Sequence, residues 1–171
     1  MQYITADQLA ERPGARELAQ VATAAHMAIV PAELMEATLR GADRSTWTAP
    51  QVASADDALQ RIEDAVRQAE GLVDGYLARR GYGLPLSPVP ELVTGWVRDI
   101  ARYLLHKDRQ GREDNDPIVR AYRDALKFLE LIAQGKFSLG ALDPIQNNPS
   151  TIDVRFDSAP AVFDRKSRRS F

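Results

Sequence analysis

Residues 54–88 read SADDALQRIEDAVRQAEGLVDGYLARRGYGLPLSP, and the fold turns on how this stretch is read. Ser54 followed three residues later by Asp57 marks a helix start, because the hydroxyl can accept an orphan backbone N–H while the acid stands by the positive end of the dipole. A helix is therefore expected from about Ala55. Ala58, Leu59, Ile62, Ala65, Val66, Ala69, Leu72, Val73, Tyr76 and Leu77 recur at three-and-four spacing, one apolar stripe along roughly seven turns. Arg79 and Arg80 then put cations at the negative end, and Gly81 is suited to a left-handed stop. Gly83, Pro85, Pro88 and Pro90 bar further helix until Glu91, which predicts a stiff crossing with Leu84 and Leu86 packed inward. Gly71 and Gly75, four apart, predict a patch of bare backbone against which another helix packs closely. Asp64, Arg67, Glu70 and Asp74 break the apolar run well short of a membrane-spanning length.

Upstream, Thr5 and Gln8 form a capping box for a short helix near residues 6–11, closed by Pro13 and Gly14. A helix from about Ala15 to Ala25 carries Leu18, Val21 and Ala22 on one face, and Pro31 introduces another over Ala32–Leu39, stopped by Gly41. Residues 41–53 contain turn formers and Trp47 without usable periodicity, and are expected to be a linker or lid.

Downstream, Leu92, Val93, Trp96, Val97, Ile100, Ala101, Tyr103, Leu104 and Leu105 cover more than half of a helix from Glu91 to about Lys107, the pattern of a central helix. Asn115 or Asp116 before Pro117 caps a further helix to about Gln134, with Ile118, Val119, Tyr122, Ala125, Leu126, Leu129 and Ile132 as its stripe and Gly135 as its stop. The segment TIDVRF alternates Ile152, Val154 and Phe156 with Asp153, Arg155 and Asp157, a strand pattern with no other clear strand to pair with. The expected architecture is mainly α: an antiparallel bundle of long helices over residues 54–140, short N-terminal helices and a variable linker over 1–53, and an extended C-terminal arm over 141–171 containing a short β-strand. Its core is expected to include Leu59, Ile62, Val66, Val73, Trp96, Ile100, Leu104, Tyr122, Leu126 and Leu129.

Composition bounds the chemistry. The chain has 171 residues, one domain with appendages, and 27% of them are charged with a net charge of only −2, so no global field draws it to nucleic acid or membrane. It contains no cysteine, which excludes disulfides, thiolate zinc sites and cysteine nucleophiles. The first residues lack a basic region followed by an apolar one, and the expectation is a soluble cytoplasmic protein. His26 and His106 lie far apart without motif context and are read as structural. The acidic loop after His106 fails as a calcium hand, because with Asp108 first the third and fifth places hold Gln110 and Arg112. No phosphate loop, dinucleotide fingerprint, nucleophile elbow or zinc-protease motif is present, so neither catalytic residues, a metal nor a cofactor is expected. Arg165, Lys166, Arg168 and Arg169 form a basic cluster within the last seven residues. Such a tail is either solvated or a docking peptide; Phe156, Phe163 and Phe171 favour docking, because solvated tails rarely carry so many large apolar groups.

LVDGYLARRGYGLPLSPVPELV, then VRDIARYLLH, then AYRDALKFLELIAQGKFSLG, in this order and spacing, resembles the Mu-like family of tailed-phage head–tail connector (adaptor) proteins. The matching motifs are Asp74-Gly75-Tyr76-Leu77, the Leu-Pro-Leu turn around Pro85, and Asp99-Ile100-Ala-x-Tyr. Tyr3-x-Thr5 and GARELAQVA resemble the amino terminus of that family, and the likeness thins between Thr23 and Ala53. The resemblance implies a homo-oligomeric ring, commonly twelvefold, in the neck of the virion beneath the portal protein, accepting the next neck or tail protein, with DNA passing through its lumen and no membrane partner. It would be assembled in the host cytoplasm. The lateral contacts of such a ring are sought in the acidic loop Glu113 to Asp116 and the basic Arg79-Arg80 corner. The competing reading is a small helical regulatory or nucleic-acid-binding protein that lays its basic tail on phosphates, separable because phosphate binding weakens steeply with salt.

Overall fold

The computed structural model describes residues 1–106, 116–140 and 143–144, and among these the protein is helical with no strand. The elements are α1 (Ala6–Leu9), α2 (Ala15–Ala22), α3 (Ala32–Leu39), α4 (Ala49–Arg80), α5 (Glu91–His106) and α6 (Pro117–Ala133). Helices α4, α5 and α6 pack on one another as a bundle, and α2 and α3 lie against α4. The strand expected over TIDVRF and the acidic loop Glu113 to Asn115 lie outside the described residues, as does the arm from residue 145 onward.

α4 is the axis of the molecule, and it is longer than the sequence reading allowed. It begins at Ala49, where the Thr48 side chain and Gln51 form a capping box and Pro50 occupies the first turn. The start expected near Ala55 is therefore wrong, and the last residues of the supposed linker are helix. Ser54 caps nothing; its hydroxyl donates 3.0 Å to the Pro50 carbonyl one turn back, a bond open to serine inside a helix. The division expected between residues 53 and 54 falls inside α4. The far end matches expectation: Gly81 adopts φ 94°, a left-handed stop, and its N–H donates to the carbonyls of Leu77 and Ala78.

Small and branched residues on the inner face of α4 make the core. Ala55, Ala58, Ile62, Val66, Ala69, Val73 and Leu77 are buried, the alanines letting neighbouring helices approach closely. Leu18, Leu34, Met35, Val93, Val97, Ile100, Leu129 and Ile132 join them in one continuous apolar cluster. Leu59, Leu104, Tyr122 and Leu126, expected inside, sit half-buried on its edge. α5 buries a narrower stripe than its composition suggested: Val93, Trp96, Val97, Ile100 and Ala101 are inside, whereas Leu92 is exposed. α6 packs from outside on the pair, so only Ala125, Leu129 and Ile132 are fully covered. Asp116 caps it, its carboxylate accepting the Ile118 N–H at 2.8 Å.

The crossing after α4 splits the two leucines expected inside. Leu86 is buried, but Leu84 is 38% exposed, because a chain this short can turn only one of the two toward the core. α2 ends at Ala22, earlier than expected, where Thr23 turns extended and its hydroxyl donates 2.6 Å to the Ala19 carbonyl while accepting the Val30 N–H. Between α1 and α2 the chain makes a wide turn over Ala10–Gly14 with Arg12 extended.

Replacing Ile100 by Asp should abolish folding, since an unpaired buried charge costs several kcal/mol against a whole-domain stability of about 5–15 kcal/mol. Circular dichroism melting should show no cooperative transition for Ile100→Asp, whereas Leu92→Asp, at an exposed position on the same helix, should melt like the parent.

Candidate functional site

The apolar stripe of α4 is interrupted by one acid. Glu70 falls in line between Val66 and Val73 and is only 6% exposed. Its carboxylate accepts the backbone N–H groups of Gln2 at 2.5 Å and Tyr3 at 2.9 Å, so burial is offset by two donors that would otherwise be orphaned. One turn further on, Asp74 accepts the Tyr3 hydroxyl at 2.5 Å. That hydroxyl in turn accepts the Leu86 N–H at 3.4 Å, and the Tyr3 carbonyl accepts the Thr94 hydroxyl of α5 at 2.8 Å. Tyr3, Asp74 and the Leu84-Pro85-Leu86 turn, far apart in the chain, thus meet in one polar clamp. Leu77 and Ile100 are fully buried beside it, Tyr76 is half-buried, and Gly75 and Pro85 are on the surface. Of the motif residues, Asp74, Leu77 and Ile100 hold elements together, whereas Gly75 and Tyr76 line a surface groove.

A second clamp ties α2 to α5. Arg102 grips Glu17 with two donors, Nε to Oε1 at 2.5 Å and a terminal nitrogen to Oε2 at 2.7 Å, and His106 Nε2 lies 2.9 Å from Oε1. Burial alone would raise the Glu17 carboxyl, but these hydrogen bonds outweigh it and hold it below the usual carboxylate range. Asp99, half-buried on α5, is pushed up by desolvation, which Arg98 and Arg102 only partly counter. A third clamp closes the end of α4. Arg80 lies over Gly135, where a Cβ would stand 2.6 Å from its guanidinium, and donates to both oxygens of Asp143 at 3.2 Å. Gly135 has φ 72°, and this left-handed backbone is what favours glycine there. Of the Arg79-Arg80 corner, Arg80 is turned inward and Arg79 stays on the surface.

Among the described residues the bundle leaves open faces. There Gly71 and Gly75 face no neighbouring helix; a Cβ at either would meet no described atom within 4 Å. With Leu72, Tyr76 and Arg79 they form a groove of about 320 Å³. At the other end of α4, Met27, Ile29, Pro31 and Pro50 line an apolar hollow of about 280 Å³, with Ile29 60% exposed. His26 is exposed at the rim of an adjoining hollow with Met27, Asp57 and Arg61. No group of three or more metal-ligating side chains occurs among the described residues, and no helix among them is long and apolar enough to cross a membrane. Phe156, Phe163, Arg165, Arg168, Arg169 and Phe171 lie outside them. The sequence reading singled out Asp74 and missed Glu70, Glu17 and Arg102; for Glu70 its place on the apolar stripe was the available sign.

The described residues form a clamped helical bundle with open apolar hollows, and comparison with known sequences supplies its lineage. The profile of the family described as "Bacteriophage Mu, Gp36" matches residues 3–158, and the chain belongs to that family of Mu-like phage proteins. It is 34% identical over 137 residues to the Mu-like prophage FluMu protein gp36 of Haemophilus influenzae, covering 78% of this chain and 89% of that one. It is 33% identical over 114 residues to gene product J of Escherichia phage Mu, covering 66% of this chain and 76% of that one. The family match runs through residues 23–53, where the motif likeness is thin. No solved structure matches significantly.

Burial, then the bond to Asp74, push the Tyr3 phenol up to about 12. Because this exceeds its ordinary value of 10.0, the clamp's stabilisation is complete below about pH 10 and declines as pH rises toward 12. Ultraviolet titration of Tyr3→Phe should show one late-ionising tyrosine fewer than the parent, Tyr122, which burial also raises, being retained in both. Glu17 has the opposite sign: its lowered value stabilises the fold above the ordinary glutamate range and is lost as pH falls through it. Urea titrations of Glu17→Gln should show lower stability at pH 7 and a shallower acid decline than the parent.

Proposed function

We propose that this protein is a head–tail connector of a Mu-like phage, a structural subunit of a ring beneath the portal that receives the next neck or tail protein. What carries the reading is the use made of the residues that bear the family resemblance. Asp74, Leu77, Leu86 and Ile100 are committed to clamps and core, which suits a subunit whose work is to keep its shape under load. A closed ring needs a heterologous interface, two different patches on each subunit that meet head to tail. The hollow at Ile29 and the groove at Gly75, at opposite ends of α4, are two such unlike patches on one rigid body.

The reaction is assembly, with no bond made or broken. The bundle supplies lateral contacts, and the arm from about Thr151 to Phe171 reaches the portal or the next protein. Phe156, Phe163 and Phe171 would enter apolar clefts there, while Arg165, Arg168 and Arg169 pair with acids at the rim. Ordering the full length of such an arm costs roughly 1–2 kcal/mol per residue, which a multivalent surface offsets. DNA would traverse the ring without base-specific contacts, the small net charge of −2 offering no strong attraction.

A chain truncated after Ser150 should melt like the full protein yet fail to complement a connector-null phage, leaving filled heads without tails under the electron microscope. Normal yields of tailed, infectious particles from the truncated chain would place the docking site on the bundle instead.

A further inference from the structure

The groove at Gly71 and Gly75 is an unpartnered surface beside the point where the chain leaves the described fold. Asp143 is held by Arg80, and Pro144 packs on Gly81, its Cγ 3.7 Å from where a Cβ on that glycine would stand. The root of the arm is thus fixed at the end of α4. Gly75 lies only about 9 Å back along the helix from Gly81, at 1.5 Å per residue. Residues 145–151 can bridge up to about 26 Å before Ile152 is reached, so the groove is well within range of Ile152, Val154 and Phe156.

The dimensions agree as well. Successive same-face residues of an extended chain are about 6.7 Å apart, and residues four apart on a helix are separated by about 6 Å. Ile152, Val154 and Phe156 therefore advance at nearly the pace of the bare positions Gly71, Gly75 and the rim at Arg79. Leu72, 36% exposed, and the half-buried Tyr76 supply the apolar wall. Arg79 makes no ion pair among the described residues and stands at the end nearest the arm's root; in the sequence Asp153 alternates with the arm's apolar residues and Asp157 follows them directly.

We infer that residues 152–156 of the same chain dock in this groove, with Asp153 or Asp157 on Arg79, so that each subunit covers its own arm until a partner surface draws it away. This rests on the assignment of the arm to partner binding and adds what holds the arm beforehand. A tether this short gives an effective concentration in the millimolar range, enough for a weak contact to be occupied in an isolated subunit and yielded to a multivalent partner.

The absence of cysteine from the chain permits a clean test in the full-length protein. The pair Gly75→Cys with Val154→Cys, under mild oxidation at low protein concentration, should close an intramolecular disulfide at least tenfold faster than Ser54→Cys with Val154→Cys. Ser54 lies about 40 Å from Gly81 along α4, beyond the reach of Val154. Adding Gly71→Leu, which fills open space, should slow the first pair at least fivefold while leaving the melting transition intact. Should Gly75→Cys perturb folding, Ala78→Cys on the same rim takes its place. Equal rates for the two pairs, indifference to Gly71→Leu, or a predominantly intermolecular disulfide would each overturn the inference, the last in favour of a second copy as occupant. No head or portal enters this experiment, so its failure leaves the connector reading standing and is distinct from the failure of complementation.

Discussion

A carboxylate placed on the apolar face of a helix is tolerable only if donors come to meet it, and in this protein the donors come from the N-terminal segment. Glu70 takes the backbone N–H groups of Gln2 and Tyr3, and Asp74 one turn later takes the Tyr3 hydroxyl. Everything near that end of the bundle depends on this arrangement. The Tyr3 hydroxyl fixes the backbone of the turn at Leu86, and the Tyr3 carbonyl holds Thr94 of α5, so four separate parts of the chain are registered by one tyrosine. An apolar residue in place of Glu70 would leave the buried Tyr3 N–H without an acceptor, at about 1–3 kcal/mol, and the partly buried Gln2 N–H dependent on water.

The same logic recurs at the other joints. Glu17 with Arg102 fastens α2 to α5, and Arg80 with Asp143 fastens the end of α4 to the segment after α6. Each pair joins elements distant in sequence and is at least partly shielded from water, where charge-assisted bonds are stronger than at the open surface. Between them the three clamps brace a core built largely of Ala, Val, Leu and Ile. The polar side chains of these clamps are occupied in holding helices together, and the hollow at Ile29 is mainly apolar. Apolar hollows on a braced bundle accord with the assembly role proposed for this member of the Mu Gp36 family.

Much of the helical framework was legible beforehand. The bounds of α3, the ends of α4, α5 and α6, the Asp116 cap and the stops at Gly81 and Gly135 follow from capping chemistry and apolar periodicity, which act over a few residues. The family was legible too, through the order of its motifs rather than any single residue. The start of α4 was misread because Ser54–Asp57 imitates a cap inside a helix whose true box, Thr48 with Gln51, stands beyond a proline. The partner of Tyr3 and the purpose of the Asp-Gly-Tyr-Leu motif could not be read at all, since no local rule connects residue 3 with residue 74.

By itself the sequence determined that the chain is helical, where most helices stop, which faces are apolar, and to which family it belongs. These are properties of neighbouring residues, and neighbouring residues are what a sequence displays. Only the tertiary structure decided that Leu86 is buried and Leu84 exposed, that Glu70 is satisfied, that Arg80 is internal and Arg79 on the surface, and that Gly71 and Gly75 meet no neighbour among the described residues. The physical reason is that burial and hydrogen-bond satisfaction depend on which distant segments arrive at a surface and which do not. An apolar stripe says that something must cover it, whereas only the packed chain shows what does.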